Sequence, residues 1–279
     1  MKKKIIIIVV VLLLAFIAVS LTNRKVFNIF NKKDKTNTKT YDNYTTLYVL
    51  NDDDKLVGIN VGDDGTIDDE VKHKWNLLTY DYHKLPKGYK SPIYVSTSLV
   101  DYKIDKNVMA MNLSDDFLYS EGRVVLECLV YNFCGNDIES LALAVDGEKI
   151  TSFESMTFDY LTKDIGCNLI FETDNIFNSD DLTVIYHYED YVLPVTYYYD
   201  CSINDFDPIT YLVDKAISID EYVSTINQKD LITYEISEKT LAFTTKSDIV
   251  LPTTVLNTLK DSISVNYDFT EISFNGVKF

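Results

Sequence analysis

His73, His83 and His187 are the only histidines in the chain, and so the only ordinary side chains that could exchange protons near neutral pH. None lies in a nucleophile or metal-ligand motif. His73 sits between Lys72 and Lys74 in a helical pattern and is expected on a solvated face. The other two are read as surface residues as well. Two acidic stretches, NDDDK at 51–55 and GDDGTIDDE at 62–70, hold enough carboxylates to suggest Ca²⁺. They lack the alternating D-x-D-x-D-G spacing with which one loop wraps that ion, so they are assigned to a hairpin turn and a helix start. Cys128, Cys134, Cys167 and Cys201 match no CxxC redox or zinc spacing and read as small buried hydrophobes. Cys128 and Cys134 share one predicted helix at about 240° around its axis, so they cannot pair. A Cys167–Cys201 disulfide stays open. The glycines are scattered, with no phosphate-cradling loop. No catalytic, cofactor-binding or metal-binding residue is therefore expected, and no cofactor.

The remaining chemistry is aromatic. Tyr186, Tyr188, Tyr191, Tyr197, Tyr198 and Tyr199 crowd one predicted hairpin. Cross-strand packing accounts for most of them. An exposed remainder would suit a protein or glycan partner.

The elements that must position these residues follow from composition and pattern. With 43 acidic and 26 basic side chains the formal charge is −17, which argues against nucleic acid as a partner, since phosphate binding needs a basic face. Hydrophobic content of 46% supports real cores. Lys2, Lys3 and Lys4 precede an apolar run at residues 5–21, in which only Ala15, Ala18 and Ser20 are not large and apolar. As a helix the run spans about 25 Å, slightly under a bilayer core. Residues 1–21 are read as an N-terminal transmembrane anchor or signal segment, and Ala18-x-Ser20 leaves cleavage open. No cysteine follows for a lipid anchor. Residues 22–44 are polar and without period, and read as a tether that holds an exported body off the membrane.

The body reads as a repeat. TTLYVLNDDDKLVGINV and LTVIYHYEDYVLPVTYY each suggest two strands and a tight turn. Gly58 and Pro194 fall at matching places and suggest edge strands. A helix follows in each copy. In the first, Thr66 is the expected N-cap and Ile67, Val71, Trp75 and Leu78 the apolar stripe. In the second, Asp207 caps, Pro208 takes the first turn, and Ile209, Leu212, Val213, Ala216 and Ile217 form the stripe. KNVMAMNLSDDFL at 106–118 aligns with KTLAFTTKSDIVL at 239–251. Second helices are expected over 120–134 and 252–264. Each copy closes with a strand and a Gly turn, ESLALAVDGEKI and TEISFNGVKF. The expected fold is α+β: two tandem ββ-α-ββ-α-β modules over 45–150 and 182–279, with helices on one sheet face. The linker 151–181 carries Phe158, Leu161, Leu169 and Phe171 and is expected to pack against them.

The order of LYVL, KLVGINV, WNLLT, LPKGYKSPI, NVMAMNLSDDF, VVLECLVYNF and ALAVDGEKI resembles the GerMN domain of sporulation and germination proteins. YHYEDYVLPVTYYYD and YLTKDIGCNL extend the resemblance, in weaker form, into the second copy and the linker. Two features depart from the family: the lipoprotein cysteine is missing, and the hairpin turn Asp105-Lys106-Asn107 lacks the usual Gly. The resemblance implies a ring-building-motif-like sheet and a non-enzymatic, extracytoplasmic assembly or scaffold role in the cell envelope or in sporulation. The partner would be an envelope protein or a second copy, with the membrane reached through the N-terminal helix. The alternative is a glycan-binding or glycan-modifying envelope protein, with peptidoglycan as its partner.

Overall fold

The structure is a computed structural model that describes residues 43–63, 67, 69–135, 137–202, 206–219, 232–245 and 250–278. The anchor at 1–21 and nearly all of the tether lie outside the described residues. No described helix is long and apolar enough to cross a membrane. Asn43–Phe279 forms a compact unit.

The first copy begins with β1 (Asn43–Leu50) and β2 (Leu56–Asp63), paired antiparallel from Asn43↔Asp63 to Leu50↔Leu56. The first strand therefore starts inside the expected tether. Thr45, Leu47 and Val49 alternate into the core opposite Val57, Ile59 and Val61, as period-two burial requires. Helix α1 is Glu70–Leu78, and its N-cap is Asp69, not Thr66. Trp75, Leu77 and Leu78 are buried, whereas Val71 is half-buried. Then come β3 (Leu99–Asp105) and β4 (Val108–Leu113), an antiparallel hairpin. The second helix is shorter than expected. Asp115–Tyr119 forms a 3₁₀ turn, and α2 spans Val124–Phe133. Gly122 lies between them at φ 78°, which a right-handed helix cannot accommodate. The copy ends with β5 (Ser140–Val145), parallel to β4, and the short β6 (Glu148–Lys149). Leu141, Leu143 and Val145 face the core, and Ala142 and Ala144 the other side.

The linker holds a small hairpin, β7 (Ser152–Phe153) with β8 (Met156–Thr157), and then β9 (Ile170–Phe171). Leu161 is buried and bridges Leu141 through two backbone bonds of 2.8 Å. Phe171 does not pack inward as expected: it is 57% exposed, with its ring stacked on Tyr198.

The second copy repeats the first. β10 (Ser179–His187) pairs antiparallel with β11 (Val192–Asp200), so this copy too starts slightly before its expected boundary. Helix α3 (Pro208–Ile217) has Asp207 as N-cap, Pro208 in its first turn and the expected apolar stripe buried. β12 (Ile232–Ser237) and β13 (Thr240–Thr245) form the hairpin. Helix α4 (Thr253–Asn266), β14 (Glu271–Phe274) parallel to β13, and β15 (Val277–Lys278) complete it. The sheets β3-β4-β5-β6 and β12-β13-β14-β15 thus have one topology. Two hydrophobic cores result, one per copy, and Leu193 packs against both.

The opening hairpins of the two copies join in one sheet, β1-β2-β11-β10, through Val192↔Gly58. The strands bearing Gly58 and Pro194 are therefore inner strands, which overturns the expectation of edges. Gly58 has a packing reason: a Cβ there would lie 3.0 Å from the Tyr48 ring. Pro194 is tolerated because even-numbered positions of β11 turn their polar groups away from β10. The missing N–H thus costs no bond in the β10–β11 ladder. The Thr196 N–H, on the same side, donates to the Cys167 carbonyl.

Candidate interaction surfaces

Surfaces where a partner could add a strand are limited by what already covers the sheet edges. The outer N–H groups of β10 at Thr183, Ile185 and His187 donate to the side chains of Asn266, Ser262 and Thr258 at 2.8–2.9 Å. The match is geometric. Four residues of helix rise about 6 Å, close to the advance of two residues along a strand. Asn266 Nδ2 also donates to the Thr183 carbonyl. In the first copy Asn132 does the same to Tyr48, accepting from its N–H and donating to its carbonyl, both at 2.9 Å. Lys90 then pairs with Leu50 through two backbone bonds. Both outer edges of the joined sheet are thus partly sealed from within. At matching places, β3 and β12 are the terminal strands of the two smaller sheets. Val100 and Ile104 of β3 and Ile236 of β12 are about half exposed.

Between the copies, Asn168 acts as a clamp. Its amide oxygen accepts from the Leu56 N–H, and its amide nitrogen donates to the carbonyls of Leu56 and Pro194, all at 2.8–2.9 Å. Its own N–H donates to Glu127 Oε2, and the other oxygen of that buried carboxylate accepts from Arg123. The Cys167 N–H donates to Thr196 Oγ1, which shares a hydrogen bond with Thr183 Oγ1. Farther along, Glu172 accepts from Lys215 Nζ and from Tyr211 Oη. Burial works against the Glu172 charge, but these two bonds outweigh it and hold the carboxyl below its ordinary range.

The residues singled out from sequence are dispersed. His73 is half-buried on α1, and His83 is exposed. His187 is not a free surface residue: it is half-buried, and its Nε2 lies 2.8 Å from Asp261 Oδ2. Asp69 and Asp207, from the acidic helix starts, form a matched pair that pattern alone did not reveal. Each caps its helix, and each accepts a phenol from the next hairpin, Tyr102 at 3.0 Å and Tyr234 at 2.5 Å. Among the described residues, no group of three or more His, Cys, Asp or Glu is placed to hold a metal. All four cysteines are free, Cys201 exposed and the others buried, so Cys167 and Cys201 are not joined.

The aromatic hairpin divides. Tyr186, Tyr197 and Tyr199 are buried, and Tyr199 stacks on Phe206 at 4.0 Å. Tyr188 stacks on Tyr191 at 4.8 Å and stays 40% exposed. Tyr197 and Tyr199 are thus core residues, not an exposed platform. Three of the cavities open on different parts of the body. One of about 400 Å³ is lined by Glu70, Lys74, Tyr131, Cys134 and Asp137. One of about 360 Å³ lies over Ala110, Ala142 and Ala144, beside Lys103 and Lys149. One of about 310 Å³ opens beside the seam, against Asn168 and the tyrosine hairpin.

No sequence-family model and no curated protein sequence matches the chain. Solved structures do. The chain is similar to the tandem GerMN domains of the sporulation protein GerM from Bacillus subtilis, with a TM-score of 0.67 at 18% identity, over 84% of this chain and 92% of that one. The first GerMN domain of the same protein, taken alone, matches at 14% identity with a TM-score of 0.40, over 44% of this chain and 98% of that one. The described body thus has the tandem GerMN fold.

Proposed function

We propose that this chain, with its tandem GerMN fold, is a non-enzymatic assembly or scaffold component of the cell envelope. Its body stands on the extracytoplasmic side, held to the membrane by residues 5–21. It works through protein–protein contacts, with an envelope protein or with its own copies, in sporulation or germination. The fold shared with a sporulation protein supports the setting. The observation that carries the contact is the pair of equivalent terminal strands, β3 and β12, which keep Val100, Ile104 and Ile236 about half exposed while the joined sheet's edges are capped. A repeated fold with one such strand per copy has two like surfaces to offer.

The test is sedimentation velocity of residues 43–279 over a concentration range. Association should appear as concentration rises, and the Ile104→Lys/Ile236→Lys double variant should weaken it tenfold or more. A strict monomer at every concentration, with no stoichiometric protein partner in envelope extract, would overturn the reading.

A further inference from the structure

We propose that the cavity beside the module seam is a binding site for a pyranose sugar that carries a carboxylate. The inference goes beyond the assembly reading and does not rest on it. The cavity, about 310 Å³, is lined among others by Lys55, Tyr186, Tyr188, Leu193, Tyr197 and Ile219. That volume is at the small end of the range for small-ligand sites.

Three features point to this ligand. The rings are held before any ligand arrives. Tyr188, 40% exposed, is the ring open to a ligand and is braced by its stack on Tyr191, while Tyr197 is a buried wall of the same cavity, its ring centroid 4.2 Å from Lys215 Nζ, which Glu172 fixes at 2.7 Å. A fixed aromatic face suits the weakly positive C–H face of a pyranose and spares the ordering cost of binding. Next, Tyr186 and Tyr197 are only 6% and 8% exposed, and their hydroxyls share one bond of 2.8 Å. Two phenols bring two hydrogens, and that bond uses one. The other has no acceptor among the described residues, although both rings line the cavity. A sugar hydroxyl would accept it. An aliphatic peptide side chain would leave it unpartnered at a cost. Finally, Lys55 lines the same cavity and makes no ion pair with any described residue. In a chain of net charge −17, a spare ammonium beside fixed rings selects for an acid group on the ligand.

The experiment titrates the full chain in detergent with N-acetylmuramic acid and with N-acetylglucosamine, which differ by the lactyl carboxylate, and reads binding by calorimetry. Co-sedimentation with peptidoglycan strands stripped of their stem peptides, which frees the lactyl carboxylates, gives the polymer arm. The acid sugar should bind at least fivefold more tightly. Lys55→Ala should remove that preference, and Tyr188→Ala should weaken both sugars tenfold or more with melting temperature unchanged. Binding to the polymer that is lost in Tyr188→Ala assigns the site to the wall glycan; binding to the free sugar alone assigns it to a soluble sugar acid. The proposal is overturned if neither sugar nor polymer binds, if the two sugars bind equally, or if binding survives both substitutions. None of these results bears on self-association, so the two readings fail separately.

Discussion

Asn168 holds a left-handed backbone, φ 46°, and from there its amide reaches Leu56 in the first copy and Pro194 in the second. A left-handed conformation costs most residues about 1–2 kcal/mol, and Asn is among those that bear it best. At about 1 kcal/mol for each of its three side-chain hydrogen bonds, and about 1 kcal/mol more for the strain of alanine in that backbone, Asn168→Ala should lower stability by about 4 kcal/mol. Asn168→Gly loses the same bonds but is at ease in that backbone, and should cost about 1 kcal/mol less. Urea melts of the two variants separate the contributions; equal losses would mean the backbone conformation carries no strain. The cysteines give a second prediction at this scale. Burial pushes the Cys134 thiol up to about 11, and pushes those of Cys128 and Cys167 upward as well, the latter helped by the Glu127 charge. The thiolate is the reactive form, so the native protein should react with one equivalent of a disulfide reagent, at Cys201, and with four once unfolded. More than one native equivalent would show that a buried site opens. That Cys128, Cys134 and Cys167 are small buried hydrophobes was legible from their spacing, whereas Cys201 departs from that expectation and is exposed. Asn168 was not legible, because nothing in its neighbourhood records a bond to a residue 112 positions away.

At the scale of elements, the strands and both first helices could be read from period and capping chemistry, and Asp207–Pro208 marked its helix start correctly. The other helix is capped by Asp69 and not by the expected Thr66, since both residue types are good caps. Asp69 accepts from the Lys72 N–H and also from a partner outside the segment, Tyr102 of β3, which the local pattern does not record. The two caps have a consequence in acid. For Asp69, the N–H of Lys72 is the largest influence and, with Tyr102, lowers the carboxyl against burial. For Asp207, burial raises it, but the bonds from Thr210 and Tyr234 outweigh that and lower it. A folded-state value below the unfolded one, about 3.9, means the stabilisation is complete above that range. It fades as pH falls through about 4 and is gone below the folded-state values. Asn caps a helix without titrating, so Asp69→Asn/Asp207→Asn should show a shallower loss of stability between about pH 5 and pH 3. Superimposable pH profiles would refute the assignment. The edge seals were hidden for a different reason: Thr258, Ser262 and Asn266 are polar residues on one helix face and resemble a solvated stripe until the strand beside them is known. Asn266→Ala should speed hydrogen exchange at Thr183 while Ile185, which donates to Ser262, stays protected. Loss of protection at both amides would mean the helix is held as a whole and not bond by bond.

For the whole body, the repeat was legible and the joint was not. From sequence, Gly58 and Pro194 suggest edge strands because a glycine and a proline weaken a central ladder. In the structure, one admits the Tyr48 ring and the other turns its missing donor away from its partner strand. The joint between copies is narrow in the ladder, with a single registered pair at Val192↔Gly58, yet it is supported on several sides. Leu193 packs on both cores, β9 continues along β11, and Asn168 and the Glu172–Lys215 contact tie the linker to each copy. Two cores that share a sheet and a clamp lose part of their own stabilisation when the other unfolds, and that coupling makes a transition cooperative. Residues 43–279 should therefore melt in one calorimetric transition, with calorimetric and van't Hoff enthalpies in agreement. Asn168→Ala removes the clamp while leaving each core's apolar packing intact, so it should broaden or split the transition, not simply shift it. Two transitions in the unaltered body would mean that the copies are independent and the seam is only a contact. One sharp transition in the variant would mean that Leu193 and the shared strands couple the copies without the clamp.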